Sequence, residues 1–318
     1  MLFWNLEFVN LEFSFFMQQQ FNEKNKDIQV FVKDKLVHRN DAKVSVFDSS
    51  VQGGDAVWEG LRIYNGRIFC FKEHVNRMYE SAKALAFADI PSEGFIRNAV
   101  VETLKANGMN HDAHIRLTLT RGEKITSGMD PRLNQSGPCL IVLAEWKPPV
   151  YDNSKGVTLV TSNIRRNSPQ TLDSHIHHNN LLNNILAKIE ANHAGADDAL
   201  MLDLYGFVAE TNACNVFMIK GNELHTPLAV ACLPGITRGL VMKLAMESGI
   251  PVFERNISLV EMYNADVVFT TGTMGELTPV GEIDKRVIEN RNETELFEQL
   301  KTAYRIKTEH EGELIGFG

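Results

Sequence analysis

Along residues 28–48, IQVFVKDKLVHRNDAKVSVFD, apolar and polar positions alternate around turn signals, a pattern that predicts short strands. In LRIYNGRIFCF, Asn65-Gly66 separates two β-rich runs, which predicts a hairpin. The period then lengthens. EHVNRMYESAKALAF and EGFIRNAVVETLKANG carry helical spacing, the second closed by Gly108. AHIRLTLTRG and PCLIVLAEW return to strand patterning. Strands, then helices, then strands again predict a small α/β unit of the α+β kind over residues 27–147.

KPPVYDN, from Lys147 to Asn153, holds paired prolines that keep the backbone extended, so 148–153 is expected to be a linker. A larger α/β unit is expected over 154–318. It opens with GVTLVTS as a strand and continues with a helix from Asn180 to His193, whose Leu181, Leu182, Ile185, Leu186 and Ile189 share a face. DALMLD and NVFMIKGNELH read as strands, and Thr237–Ser248 as a helix that stops at Gly249. ADVVFTTGT reads as a buried strand running into a glycine turn, and ETELFEQLKTAYRIKTEH as a charged helix.

The chain has 318 residues and a net charge of −8. That balance argues against a broad nucleic-acid-binding face, which needs clustered Lys and Arg. The cysteines Cys70, Cys139, Cys214 and Cys232 form no metal or CxxC spacing and fit packed, reduced thiols of a cytoplasmic protein. MLFWNLEFVNLEFSFF is rich in aromatics but interrupted by Glu7 and Glu12, so it reads neither as a signal peptide nor as a membrane span. Residues 1–26 are expected to be a disordered extension.

Four features carry chemistry. In LPGITRGLVMKLAMESG a loop glycine, Gly235, leads into a helix whose first N–H groups lack internal partners, an end suited to a phosphate. In FTTGTMGELTP, Gly272 between Thr271 and Thr273 offers N–H groups and hydroxyls in a tight turn. GFVAETNACNVF sets Glu210 among apolar residues, where a carboxylate needs a cationic partner, either a protonated ring nitrogen or a nearby Arg. Arg77, on the helix EHVNRMYES, has the planar fork of donors that grips a phosphate.

These stretches, with GGDAVWEGLRIYNG, NNLLNNILAKIEAN and ALMLDLYGFVAETNACNVF, resemble the class IV, fold-type IV pyridoxal-phosphate aminotransferases from about Asp27 to Val280. The likeness is closest to branched-chain amino-acid aminotransferases, with D-amino-acid aminotransferases and aminodeoxychorismate lyase as cousins, so pyridoxal-phosphate lyase chemistry is a further, weaker alternative. The resemblance implies a two-domain D-amino-acid-aminotransferase-like fold with pyridoxal or pyridoxamine 5′-phosphate in the cleft. It implies an amino acid and a 2-oxo acid as substrates, and a homodimer. It assigns the phosphate to Arg77, Ile236, Thr237, Gly272 and Thr273, the pyridine nitrogen to Glu210, and a substrate carboxylate to Arg116.

One position departs from the family. Across HHNNLL the family carries a Schiff-base lysine; aligning on Asn180-Leu181-Leu182 puts His177 there, and a different loop length would put His175 or Ile176 there. Imidazole forms no stable tether to an aldehyde but can carry a proton, with a reference pKa of about 6.5. Lys188 stands roughly 16 Å farther along a helix rising about 1.5 Å per residue. The expectation is therefore noncovalent cofactor binding, with His177 or His178 as acid/base. A non-catalytic cofactor-binding or regulatory homologue is the alternative. A zinc site in HIHH with His193 is weaker, because no thiolate or carboxylate stands at a typical spacing.

Overall fold

The computed structural model describes residues 19–151, 156–288 and 295–316. The aromatic segment 1–16 and part of the expected linker therefore lie outside the described residues. The expected disordered lead-in is partly built. Asn25, in a short 3-10 turn at Glu23–Asn25, is buried, donates from its side chain to the Trp146 carbonyl and accepts from the Trp146 N–H. A side-chain amide that satisfies both backbone groups of a strand end is enough to order this segment.

In the first half, β1 (Gln29–Val32) and β2 (Lys35–His38) form a hairpin, followed by the short helix α1 (Ser49–Gly53), β3 (Ala56–Tyr64) and β4 (Arg67–Ile68). Asn65 and Gly66 join β3 to β4 with φ of 48° and 73°, the left-handed pair that a two-residue hairpin turn requires. Helices α2 (Phe71–Ala84) and α3 (Glu93–Ala106) follow, then β5 (Ala113–Thr120) and β6 (Cys139–Trp146). Leu61 and Ile63 of β3, Ile115 and Leu117 of β5 and Val142 of β6 pack with Val75, Met78, Ile96 and Leu104 of the helices into one core. Because side chains alternate along a strand, Trp58, Arg62, His114 and Arg116 are sent to the opposite face.

The second half contributes β7 (Val157–Thr161), α4 (Leu182–Ala194), β8 (Asp198–Leu202), β9 (Val208–Thr211), β10 (Asn215–Lys220), β11 (Glu223–Thr226), α5 (Ile236–Glu247), β12 (Val252–Glu254), α6 (Leu259–Tyr263), β13 (Val267–Gly272), β14 (Glu276–Ile283), β15 (Arg286–Val287) and α7 (Glu295–His310). Among the described residues these strands run in the order β12-β11-β10-β13-β14-β7-β8-β9, with β15 on β14. The sheet is mixed: β14, β7 and β8 run parallel, whereas β10, β13 and β14 are antiparallel. The last strand, β16 (Glu313–Leu314), pairs with β4, so the end of the chain completes the first sheet, ordered β16-β4-β3-β5-β6-β1-β2.

The shared apolar face predicted for α4 exists but points outward. Leu182, Ile185, Leu186 and Ile189 are exposed, while Ala187 and Ala191 are buried against Ala199 and Met201 of β8. Small side chains let the helix lie close to the strand. Among the described residues no helix is long and apolar enough to cross a membrane.

Candidate functional site

The segment before α4 docks on the open edge of β3. The Trp58 N–H donates to the His177 carbonyl at 3.0 Å, and the Asn179 N–H to the Ala56 carbonyl at 2.8 Å. The Trp58 indole N–H donates to the His178 carbonyl at 3.1 Å, and the His177 N–H to Ser81 Oγ at 3.1 Å. These bonds set how the three aligned positions lie against the cleft. His175 is half exposed and pairs with Asp173 at 2.8 Å. Ile176 packs against the core of the first sheet. The His177 ring lines a cavity of about 360 Å³, 4.2 Å from the Trp58 ring.

That cavity is also lined by Arg77, Arg116, Glu210, Ile236, Thr237, Gly272 and Thr273. His178 lines an adjoining cavity of about 320 Å³ that shares Trp58, Arg116, His177 and Glu210. Its Nδ1 is buried without a partner, and burial, with Arg166 and His177 nearby, pushes its pKa down to about 4. Sequence positions 77 to 273 thus converge on one cleft between the two sheets.

At one end, Gly235 precedes α5 and no side chain caps the helix. Asn215 Oδ1 lies 2.1 Å from where a Cβ on Gly235 would stand, so only glycine lets the loop run this close. Near the end of β13 stands Thr271, whose Oγ1 is buried and unpartnered. Arg77 reaches the same end, donating to the Pro234 carbonyl at 3.2 Å. Free helix N–H groups, an orphaned hydroxyl and a guanidinium together suit a phosphate.

Glu210, near the end of β9, meets one of the two sequence expectations for a buried carboxylate, a nearby Arg. It lines the cavity, and its Oε1 lies 2.8 Å from an Arg166 terminal nitrogen. Asn215 donates to its Oε2 at 3.2 Å. Burial pushes the Glu210 pKa up, against the pull of Arg166. Its carboxyl lines the cavity and is held by Arg166, which Asn183, Asn184 and Ser174 brace in turn.

Arg116 lies over the Trp58 ring at 3.8 Å and donates to Asn179 Oδ1 at 2.7 Å; burial lowers its pKa. His114, one alternation earlier on β5, presents a buried, unpartnered Nε2 to the cavity. Two lysines border the cleft. Lys147 lines the larger cavity, and Lys188 lines the smaller one with its ammonium on Asp198 at 3.2 Å.

Sequence reasoning missed Glu59, Arg166, His114 and Lys147. Glu59 had a visible signal: along β3 it occupies the inward register of Val57, Leu61 and Ile63, a charge on a core face. Arg166 had none, because nothing in Arg165-Arg166 says which of the two turns inward. Among the described residues no group of three His, Cys, Asp or Glu side chains is arranged to hold a metal.

The amino-transferase class IV family model matches residues 56–283. The chain belongs to that family. It is 57% identical over 289 residues to branched-chain-amino-acid aminotransferase-like protein 2 of Arabidopsis thaliana, covering 91% of this chain and 52% of the relative. The chain thus spans about half the length of the first curated relatives it matches. A putative branched-chain-amino-acid aminotransferase of Methanocaldococcus jannaschii is 42% identical, covering 87% of this chain and 96% of the relative. Among solved structures, the T.th. branched-chain amino acid aminotransferase complexed with N-(5′-phosphopyridoxyl)-L-glutamate superposes with a TM-score of 0.82 at 31% identity, covering 89% of this chain and 95% of that one. The fold is accordingly that of the fold-type IV class IV aminotransferases, as the residue patterns implied.

Proposed function

We propose that this class IV family member binds pyridoxal or pyridoxamine 5′-phosphate without a covalent tether and moves an amino group between an amino acid and a 2-oxo acid. The observation that carries the reading is the convergence of Arg77, the uncapped α5 end, the Gly272 turn, Glu210 and His177 on one cavity. In this reading Arg77, Ile236, Thr237, Gly272 and Thr273 hold the phosphate, and Glu210 holds the pyridine N–H. Bound, the cofactor supplies an electron sink for the substrate's α-carbon. Arg116 positions a substrate carboxylate, and the Trp58 ring excludes water beside it. His177 takes and returns a proton at the α-carbon, the part of the missing lysine's work that imidazole can do. His178 stands by as a second, uncharged imidazole. The phosphopyridoxyl complex of the T.th. relative supports the choice of cofactor.

The reading extends to a cytoplasmic homodimer built of a small unit over 27–147, a linker over 148–153 and a larger unit over 154–318, whose β16 crosses back to the first sheet. Titration with pyridoxal phosphate, followed by amino-transfer assays with branched-chain, D- and aromatic amino acids, tests it. Saturable binding with turnover is expected. No binding at millimolar cofactor overturns it. Binding without turnover on any donor selects the non-catalytic homologue, which the histidine at the lysine position favours.

A further inference from the structure

Glu59 is fully buried on β3, facing α2, and the reaction as described gives it no task. Its Oε1 accepts from Arg77 Nε at 2.9 Å and lies 3.2 Å from His177 Nδ1. Its Oε2 accepts from an Arg77 terminal nitrogen at 2.7 Å and lies 2.7 Å from His74 Nδ1. An ionised carboxylate only accepts, and offers about four lone-pair sites. The four neighbours fill those sites only if each one donates. An ionised Glu59 therefore favours a hydrogen on His177 Nδ1. A terminal nitrogen of Arg77 also lies 3.4 Å from that Nδ1 and has a second hydrogen to offer it, but the Glu59 oxygen is nearer, at 3.2 Å, and charged.

We propose that Glu59 is the positioning residue for His177, fixing the tautomer with hydrogen on Nδ1 so that Nε2, on the other side of the ring, is the proton-accepting atom of the cleft. This rests on the reading of His177 as the acid/base group. When Nε2 takes the proton from a substrate α-carbon, the C–H electron pair stays with the substrate and the ring becomes imidazolium. The Glu59 charge faces that cation directly. The same nitrogen then gives the proton back to a carbon of the bound reactants, and the ring ends as it began.

The ring's surroundings suit this role. Its backbone is pinned on both sides, by Trp58 at the carbonyl and Ser81 at the N–H. The charged and titratable groups around it are Glu59 from β3, His74 and Arg77 from α2, and His178 beside it in the chain. Burial pushes the His177 pKa below the ordinary histidine range, against the pull of Glu59. Burial also opposes ionisation of Glu59, yet His177, Arg77 and His74 hold its carboxyl well below the usual range.

The test is a long-range ¹H–¹⁵N spectrum of the cofactor-free protein labelled at histidine, with His177 assigned through a His177→Gln control. The expected pattern is hydrogen on Nδ1 and a lone pair on Nε2; hydrogen on Nε2 overturns the proposal. In Glu59→Gln the amide accepts on one atom and donates on the other, so the tautomer should become mixed. With cofactor and donor supplied, the single-turnover rate of this variant should fall at least about tenfold, the scale of general acid–base effects. An unchanged tautomer and rate in Glu59→Gln also overturn the proposal. If Glu59→Gln does not fold, the wild-type spectrum decides alone. Failure of the wild type to bind cofactor sinks the functional reading, whereas the tautomer stands or falls on its own spectrum.

Discussion

Glu210 and Arg166 meet at 2.8 Å with both side chains almost wholly buried. Removing one partner of such a pair strands a charge in a low-dielectric site and costs about 3–5 kcal/mol. Glu210→Ala should therefore lower the unfolding free energy by that order in a urea titration. It should also weaken pyridoxal phosphate binding at least about tenfold, since roughly 1.4 kcal/mol corresponds to each decade. Glu210→Gln keeps the shape and removes the charge, so it should retain more stability while still losing affinity. Unchanged affinity in both variants would detach Glu210 from the cofactor site.

Gly235 approaches Asn215 so closely that a methyl group has no room. Asn215 cannot swing away cheaply, because it donates to the Leu233 carbonyl at 2.9 Å and to Glu210. Gly235→Ala should cost about 1–3 kcal/mol, the usual range for overpacking. Its larger effect should fall on phosphate binding, by moving the start of α5 away from Arg77 and the Gly272 turn. Competition between inorganic phosphate and pyridoxal phosphate reads this directly, with phosphate inhibition weakened in the variant.

How far these relationships were legible depends on distance along the chain. Local signals worked: Asn65-Gly66 predicted its hairpin, and Gly235 predicted a loop running into α5. The site residues stood out only because several motifs occurred in a familiar order; taken singly, Arg77 or Gly272 says little. Periodicity gave the faces of α4 but not their orientation. A stripe of Leu and Ile predicts burial, yet the alanines face the sheet, because close packing on β8 selects for small volume. Arg166 and Glu210 lie far apart in sequence, and only the sheet brings them together.

His114 offers a test by pH. Burial first, then the nearby Lys147, Arg62 and Arg116, push its pKa down to about 3. In the unfolded chain it titrates near 6.5. Between those values the unfolded state binds a proton that the folded state does not, so His114 costs stability as pH falls from about 6.5 toward 3. The full window is worth on the order of 5 kcal/mol. His114→Gln should flatten the acid side of the stability profile measured by urea denaturation at successive pH values. A profile that keeps the wild-type slope would mean that other groups carry the acid sensitivity.

His177→Lys is the sharpest test of the cleft. The wild type, incubated with pyridoxal phosphate and reduced with borohydride, should yield no labelled peptide, although Lys147 and Lys188 border the two cavities. Lys188 is held by Asp198 at 3.2 Å and by the Asp197 carbonyl, so its amine is occupied. His177→Lys places an amine where the imidazole faces Arg77 and the α5 end, and should give one labelled peptide spanning position 177. His175→Lys serves as the control, because the half-exposed His175 pairs with Asp173 and lines a different cavity from the one His177 lines, so it should stay unlabelled. Label at 175 and not 177 would mean that the loop register puts the tether position two residues earlier. Label on Lys147 or Lys188 in the wild type would show that the chain has a tether of its own and remove the need for a histidine base.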